Sequence, residues 1–228
     1  MDFIIYGFIL LYAVSLIASI RVMYKNDLVK YTRYKMTTSS LFILIGLMAF
    51  LISNSELYLY FLPGYIFCFL GDLFLAIAKT PSGILKKKKF LFGLVSFGLA
   101  HGLYINSIAK MLNGKVGWYF ILFTISGFLF VFTSYKRDKY EIKGKLIIPC
   151  FIYATLVSTF LGMTFTYLIR GGINRESILL FIGSLCFMVS DMILSFKYFG
   201  KEKKKWYILV ELVLYYIAML LLSVFFVF

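Results

Sequence analysis

Few residues in this 228-residue chain have side chains suited to catalysis, and four of them sit where lipid should exclude them. Asp72, His101, Asp191 and Glu211 interrupt otherwise apolar stretches. A carboxyl at the centre of a bilayer costs at least ~3 kcal/mol, so one retained there normally faces a protein interior and acts on something. Two carboxyls in a dry site do not both ionise near neutral pH, because burial and mutual repulsion each penalise the charged form. One acid and one base then arise from the same residue type. That division serves the hydrolysis of acetals and enol ethers, and equally a proton-coupled carrier. A cluster that only fixes helix register is the plain alternative. It is strongest for Glu211, near an interface, and for His101 as a satisfied core histidine.

The neighbours add polar groups. The stretch FGLAHGLYIN sets Gly98 and Gly102 at the spacing of close helix crossings and carries Tyr104 and Asn106 past His101. Ser190 precedes Asp191, and Tyr215 and Tyr216 lie one turn after Glu211. Other chemistries lack parts. A many-histidine zinc site needs more than the single His present. A retinal-type Schiff base needs a lysine inside a span, and none is expected there. No G-x-S-x-G elbow, Walker loop or dinucleotide loop occurs. Cys68, Cys150 and Cys186 form no C-x-x-C pair and read as packing residues. No metal and no cofactor is expected.

The elements that must position these residues are membrane spans. A chain that is 62% hydrophobic, with mean hydropathy +0.91, cannot cover its apolar surface in water at this size. Eight segments are long enough to cross about 30 Å of hydrocarbon: 3–23, 36–53, 57–78, 90–110, 116–134, 146–169, 177–197 and 206–227. Residues 1–20 lack a basic start and a small-residue cleavage site, so they read as a first span rather than a signal peptide. The expected fold is an all-α integral membrane protein of eight transmembrane helices, one domain over 1–228. Span 3 reads GYIFCFLGDLFLAIAK and span 7 reads GSLCFMVSDMILSFKY, each with a Gly eight residues before its Asp. Asp72 and Asp191 are 119 residues apart, which predicts two four-helix halves, 1–111 and 112–228, as a parallel repeat.

Charge sets the expected orientation. Nineteen Lys and Arg residues fall in the odd-numbered loops and only Lys110, Lys115, Arg170 and Arg175 in the even ones. The positive-inside rule puts the odd loops in the cytoplasm of a bacterial inner membrane and both termini outside. Each such cation near the anionic leaflet contributes about 1 kcal/mol of attraction to membrane lipid. A formal charge of +14 does not point to nucleic acid, since the basic residues sit in short gaps with no folded polar face. Asp72, Asp191 and Glu211 then fall at similar depths on the cytoplasmic side, with His101 nearer the midplane, as if lining one cavity.

GDLFLAI around Asp72, FGLVSFGLAHGLY around His101, GSLCFMVSDMIL around Asp191 and ELVLYYIAM around Tyr215 and Tyr216 occur in order over nearly the whole chain. Together they resemble the YhhN family of bacterial membrane proteins, relatives of the mammalian lysoplasmalogenases. Two positions depart from the family pattern: Lys35-Met36 stands where Lys-Pro is usual, and Met219 where a Gln follows the tyrosines. The resemblance implies hydrolysis of the vinyl ether bond of a lysoplasmalogen to a long-chain aldehyde and a glycerophospho-headgroup. It implies Asp72 and Asp191 as the acid/base pair, in unassigned order. His101 and Tyr104 would orient or polarise, Asn106, Ser190 and Glu211 would support, and Tyr215 and Tyr216 would shape the pocket. Lys35 is the expected headgroup contact. A lysophospholipid is the expected partner, and the oligomeric state is open. The rival expectations are a small proton-coupled transporter and a non-catalytic lipid-binding protein.

Overall fold

The computed structural model describes residues 2–25, 27–55, 57–78, 85–136, 144–201 and 206–227. Among these residues the regular structure is helical: α1 (Asp2–Tyr24), α2 (Leu28–Ser53), α3 (Leu57–Ala76), α4 (Lys87–Met111), α5 (Tyr119–Lys136), α6 (Ile147–Arg170), α7 (Arg175–Phe199) and α8 (Trp206–Val224), with one 3₁₀ turn, Gly144–Leu146. All eight helices are long and apolar enough to cross a membrane. The expected loop cations Lys79, Arg137, Lys139, Lys143 and Lys203 to Lys205 lie outside the described residues.

Local sequence explains the ends. Asn174 caps α7 through a reciprocal pair with Ser177, each side chain accepting from the other's backbone N–H. Asn54 ends α2 in the left-handed conformation (φ 52°) that Asn tolerates. Asp27 caps α2 by accepting from the Lys30 N–H at 3.0 Å. That cap starts α2 eight residues before the expected position 36. Lys30 and Arg33 point outward while Lys35, expected in a loop, is carried inside the span.

Six helices close a ring in the order α2, α3, α4, α6, α7, α8 and back to α2. Outside it, α1 lies against α2 and α8, and α5 against α6. Shifting each label by four carries α1·α2 onto α5·α6, α2·α3 onto α6·α7, α3·α4 onto α7·α8 and α8·α2 onto α4·α6. The paired glycines have matching tasks. A Cβ at Gly64 would strike the Tyr104 ring on α4, and one at Gly183 would crowd Leu222 on α8 at 3.3 Å. The spacing at Gly98 and Gly102 does something else. Gly98 meets Leu156 only at ordinary contact distance, 3.5 Å, and a Cβ on Gly102 would meet nothing within 4 Å. These two glycines leave an open groove between α4 and α6, not the close crossing that their spacing predicts.

Candidate active site

Three polar clusters, the first buried and the other two partly buried, lie toward the ends of the helices that carry the basic loops. The first joins α2, α3 and α8 around Asp72, which is 1% exposed. Lys35 Nζ, itself buried, donates to Asp72 Oδ1 at 2.9 Å. Ser39 Oγ and the Tyr215 hydroxyl each donate to Asp72 Oδ2 at 2.7 Å. The Tyr216 hydroxyl donates to the Lys35 carbonyl at 3.1 Å, and Tyr12 on α1 donates to the Tyr216 carbonyl at 2.6 Å. Lys35 and Ser39 are one helical turn apart, so one face of α2 presents both the cation and the hydroxyl to α3. A buried ammonium and two hydroxyls on one carboxyl favour its ionised form. Lys35 is therefore the buried counter-ion of Asp72 and does not sit at the interface as a headgroup contact. It is also a lysine inside a span, against the expectation that none lies there.

The second cluster surrounds Asp191 on α7. The Tyr153 hydroxyl on α6 donates to Asp191 Oδ2 at 2.7 Å. Among the described residues Asp191 joins no ion pair. It lines a cavity of about 90 Å³ bounded by α4, α5, α6 and α7, whose other walls are mainly hydrocarbon, among them Leu94, Val131, Val157 and Met188. Here the offset between the two acids gains a second use. Adding 119 to Ser39 gives Ser158, and adding it to Lys35 gives Ala154. Both Ser158 and Ala154 line the cavity. The position 119 residues after Lys35 thus carries only the methyl group of Ala154, on the wall of the space beside Asp191.

The third cluster pairs Lys197 Nζ with Glu211 Oε2 at 2.5 Å, and Ser190 Oγ donates to the Glu211 backbone carbonyl at 2.9 Å. Ser190 and Glu211 therefore tie α7 to α8 beside Asp191, the next residue.

His101 stands between the two acids. Its Nδ1 donates to the Phe97 carbonyl at 2.7 Å, and its buried Nε2 has no hydrogen-bond partner among the described residues. The ring is edge-on to Phe187 at 4.6 Å between centroids and to Tyr153 at 5.7 Å. Phe187 in turn meets Tyr215 at 5.4 Å. A short aromatic wall, Tyr215–Phe187–His101–Tyr153, thus separates Asp72 from Asp191, in place of the single cavity expected for all four titratable groups. Asp72, His101 and Glu211 do not line the space beside Asp191. Tyr104 is buried, stacked on Phe61 at 5.3 Å, with its hydroxyl 3.6 Å from Cys68 Sγ. Asn106 is exposed on the outer face of α4, so it cannot support the site. Sequence reasoning missed Ser39, Tyr153 and Lys197; the 119-residue offset would have flagged Ser39 through Ser158, and nothing in the pattern marks Tyr153.

Eight helices long and apolar enough to span a membrane, with ion pairs and carboxyls buried or partly buried between them, define a multi-pass helical membrane protein with an internal polar site. The YhhN family model matches residues 32–224, and the chain belongs to the YhhN family. No curated protein and no solved structure matches it.

Proposed function

We propose that this protein is a membrane-embedded hydrolase that cleaves the vinyl ether bond of a lysoplasmalogen, with Asp191 as the acid and Asp72 as the fixed carboxylate. Membership of the YhhN family is consistent with that chemistry. The observation that carries the assignment is the opposite setting of the two acids. Asp72 is paired with Lys35, while Asp191 has a tyrosine hydroxyl and an apolar cavity but no cation among the described residues. A carboxyl without a cation in such surroundings keeps its proton.

The reaction then runs on this chain's own groups. The Asp191 carboxyl gives its proton to the β carbon of the vinyl ether, the double-bond pair forming the new C–H bond. The resulting oxocarbenium ion is stabilised by the field of the Asp72 carboxylate across the aromatic wall. Water adds to the cationic carbon and loses a proton to the Asp191 carboxylate, which restores the acid. Asp191 then protonates the glycerol oxygen as its bond to the hemiacetal carbon breaks, and the hemiacetal hydroxyl proton returns to the Asp191 carboxylate, releasing the aldehyde and the glycerophospho-headgroup. The basic loops face the cytoplasm on this proposal, with both termini outside. The matched helix contacts and the 119-residue offset support a repeat of two four-helix halves.

Purified protein in detergent, given a lysoplasmalogen with coupled aldehyde detection beside a lysophospholipid ester control, tests the activity. Aldehyde release from the vinyl ether alone, abolished in Asp191→Asn, is the expected result. Full turnover in Asp191→Asn overturns the proposal.

A further inference from the structure

The groove between α4 and α6 is an open space of about 560 Å³ on the lipid-facing surface. Its floor is Gly98 and Gly102, and its walls include Leu99 and Ile152, which are exposed to the membrane. Leu94 and Tyr153 line this groove and also the cavity beside Asp191, so these two side chains form the partition between them. Tyr153 is both that partition and the hydrogen-bond donor to Asp191. Moving its ring would open the groove to the cavity and free the acid in one step.

Depth gives the direction of an occupant. α4 begins at the exposed lysines Lys86, Lys87 and Lys88. Leu94 lies seven residues beyond Lys87, about 10 Å along the helix, and Gly102 about 12 Å further. Asp191 lies eight residues before Phe199 at the same end, about 12 Å in. From the basic end inward, the order is cations, then the acid with its tyrosine gate, then a hydrocarbon groove. A single-chain amphiphile with an anionic headgroup has the same order: phosphate, linkage, alkyl tail.

We infer that the α4–α6 groove holds the alkyl chain of a single-chain anionic lipid that reaches Asp191 sideways from the bilayer past Tyr153. This rests on the hydrolase proposal for its consequence in turnover, though not for binding. The occupant is a lipid chain and not a partner helix, because the walls are hydrocarbon and the surface is one that the membrane itself covers.

The test uses the full chain in nanodiscs and an uncleavable ether lysophospholipid carrying a diazirine in its alkyl chain. After photolysis, adducts should concentrate on Leu99, Gly102, Ile152 and Leu156, and unlabelled lysophospholipid should compete them away. Gly102→Phe points its new side chain into open space, so it should fold with unchanged thermal unfolding while losing those adducts. It should also raise KM for a long-chain vinyl ether at least about tenfold, with little change for a short-chain one. Adducts spread evenly over α1 and α5 without competition, or an unchanged KM and labelling in Gly102→Phe, would overturn the inference. If no substrate yields aldehyde, the hydrolase proposal fails, while the labelling still decides the groove.

Discussion

Asp72 and Asp191 are the same residue 119 positions apart, each eight residues after a glycine on its own helix, yet their surroundings are opposite. Asp72 has a lysine and two hydroxyls on its oxygens. Asp191 has one tyrosine hydroxyl and a cavity, and the position matching Lys35 is Ala154. On the proposed assignment, the lack of a neighbouring cation lets Asp191 serve as an acid while Asp72, held by Lys35, stays a carboxylate. Like residues with unequal charge around them give a way to obtain both members of an acid/base pair without a second kind of residue.

Substitutions can break that contrast from either side. The largest effect is expected for Lys35→Met, which leaves the Asp72 carboxylate buried without its cation and should cost about 3–5 kcal/mol in thermal unfolding in detergent. Adding Asp72→Asn to it should recover much of the loss, and no recovery would mean that the pair is not coupled. Next is Ala154→Lys, which supplies Asp191 with the missing cation. Turnover should fall at least about 100-fold while the protein stays folded, since the proton donor is lost. Activity near that of the unaltered chain would show that the cavity needs no uncharged acid. Tyr215→Phe removes a bond to a charged carboxyl and should cost about 2 kcal/mol, whereas Tyr153→Phe removes one from a neutral carboxyl and should cost only about 1 kcal/mol. The reverse order in thermal unfolding would reverse the charge assignment.

The spans were legible because each is an apolar run near the thickness of a bilayer, and composition leaves such runs nowhere else to go. The start of α2 was not. A lysine beside an apolar run is read as loop, and the partner that lets Lys35 enter the span is Asp72, 37 residues away on another helix. Asn106 could have been excluded, because five residues past His101 is about 140° around a helix. Tyr104, three residues on, keeps to the buried side. The acids themselves stood out by polarity alone, whereas Tyr153 looks like any membrane tyrosine until α6 is packed against α7. The GxxxG spacing misled for a related reason: small residues permit close approach, but Gly102 finds no neighbour there to approach.

The central claim is that Asp191 is protonated and Asp72 is not. Infrared difference spectra at neutral pH, taken between the unaltered protein and each Asp→Asn variant in detergent, read this directly through the C=O stretch of a protonated carboxyl. Loss of that band in Asp191→Asn, with no such loss in Asp72→Asn, is the predicted result; a band lost in Asp72→Asn and kept in Asp191→Asn would contradict the account.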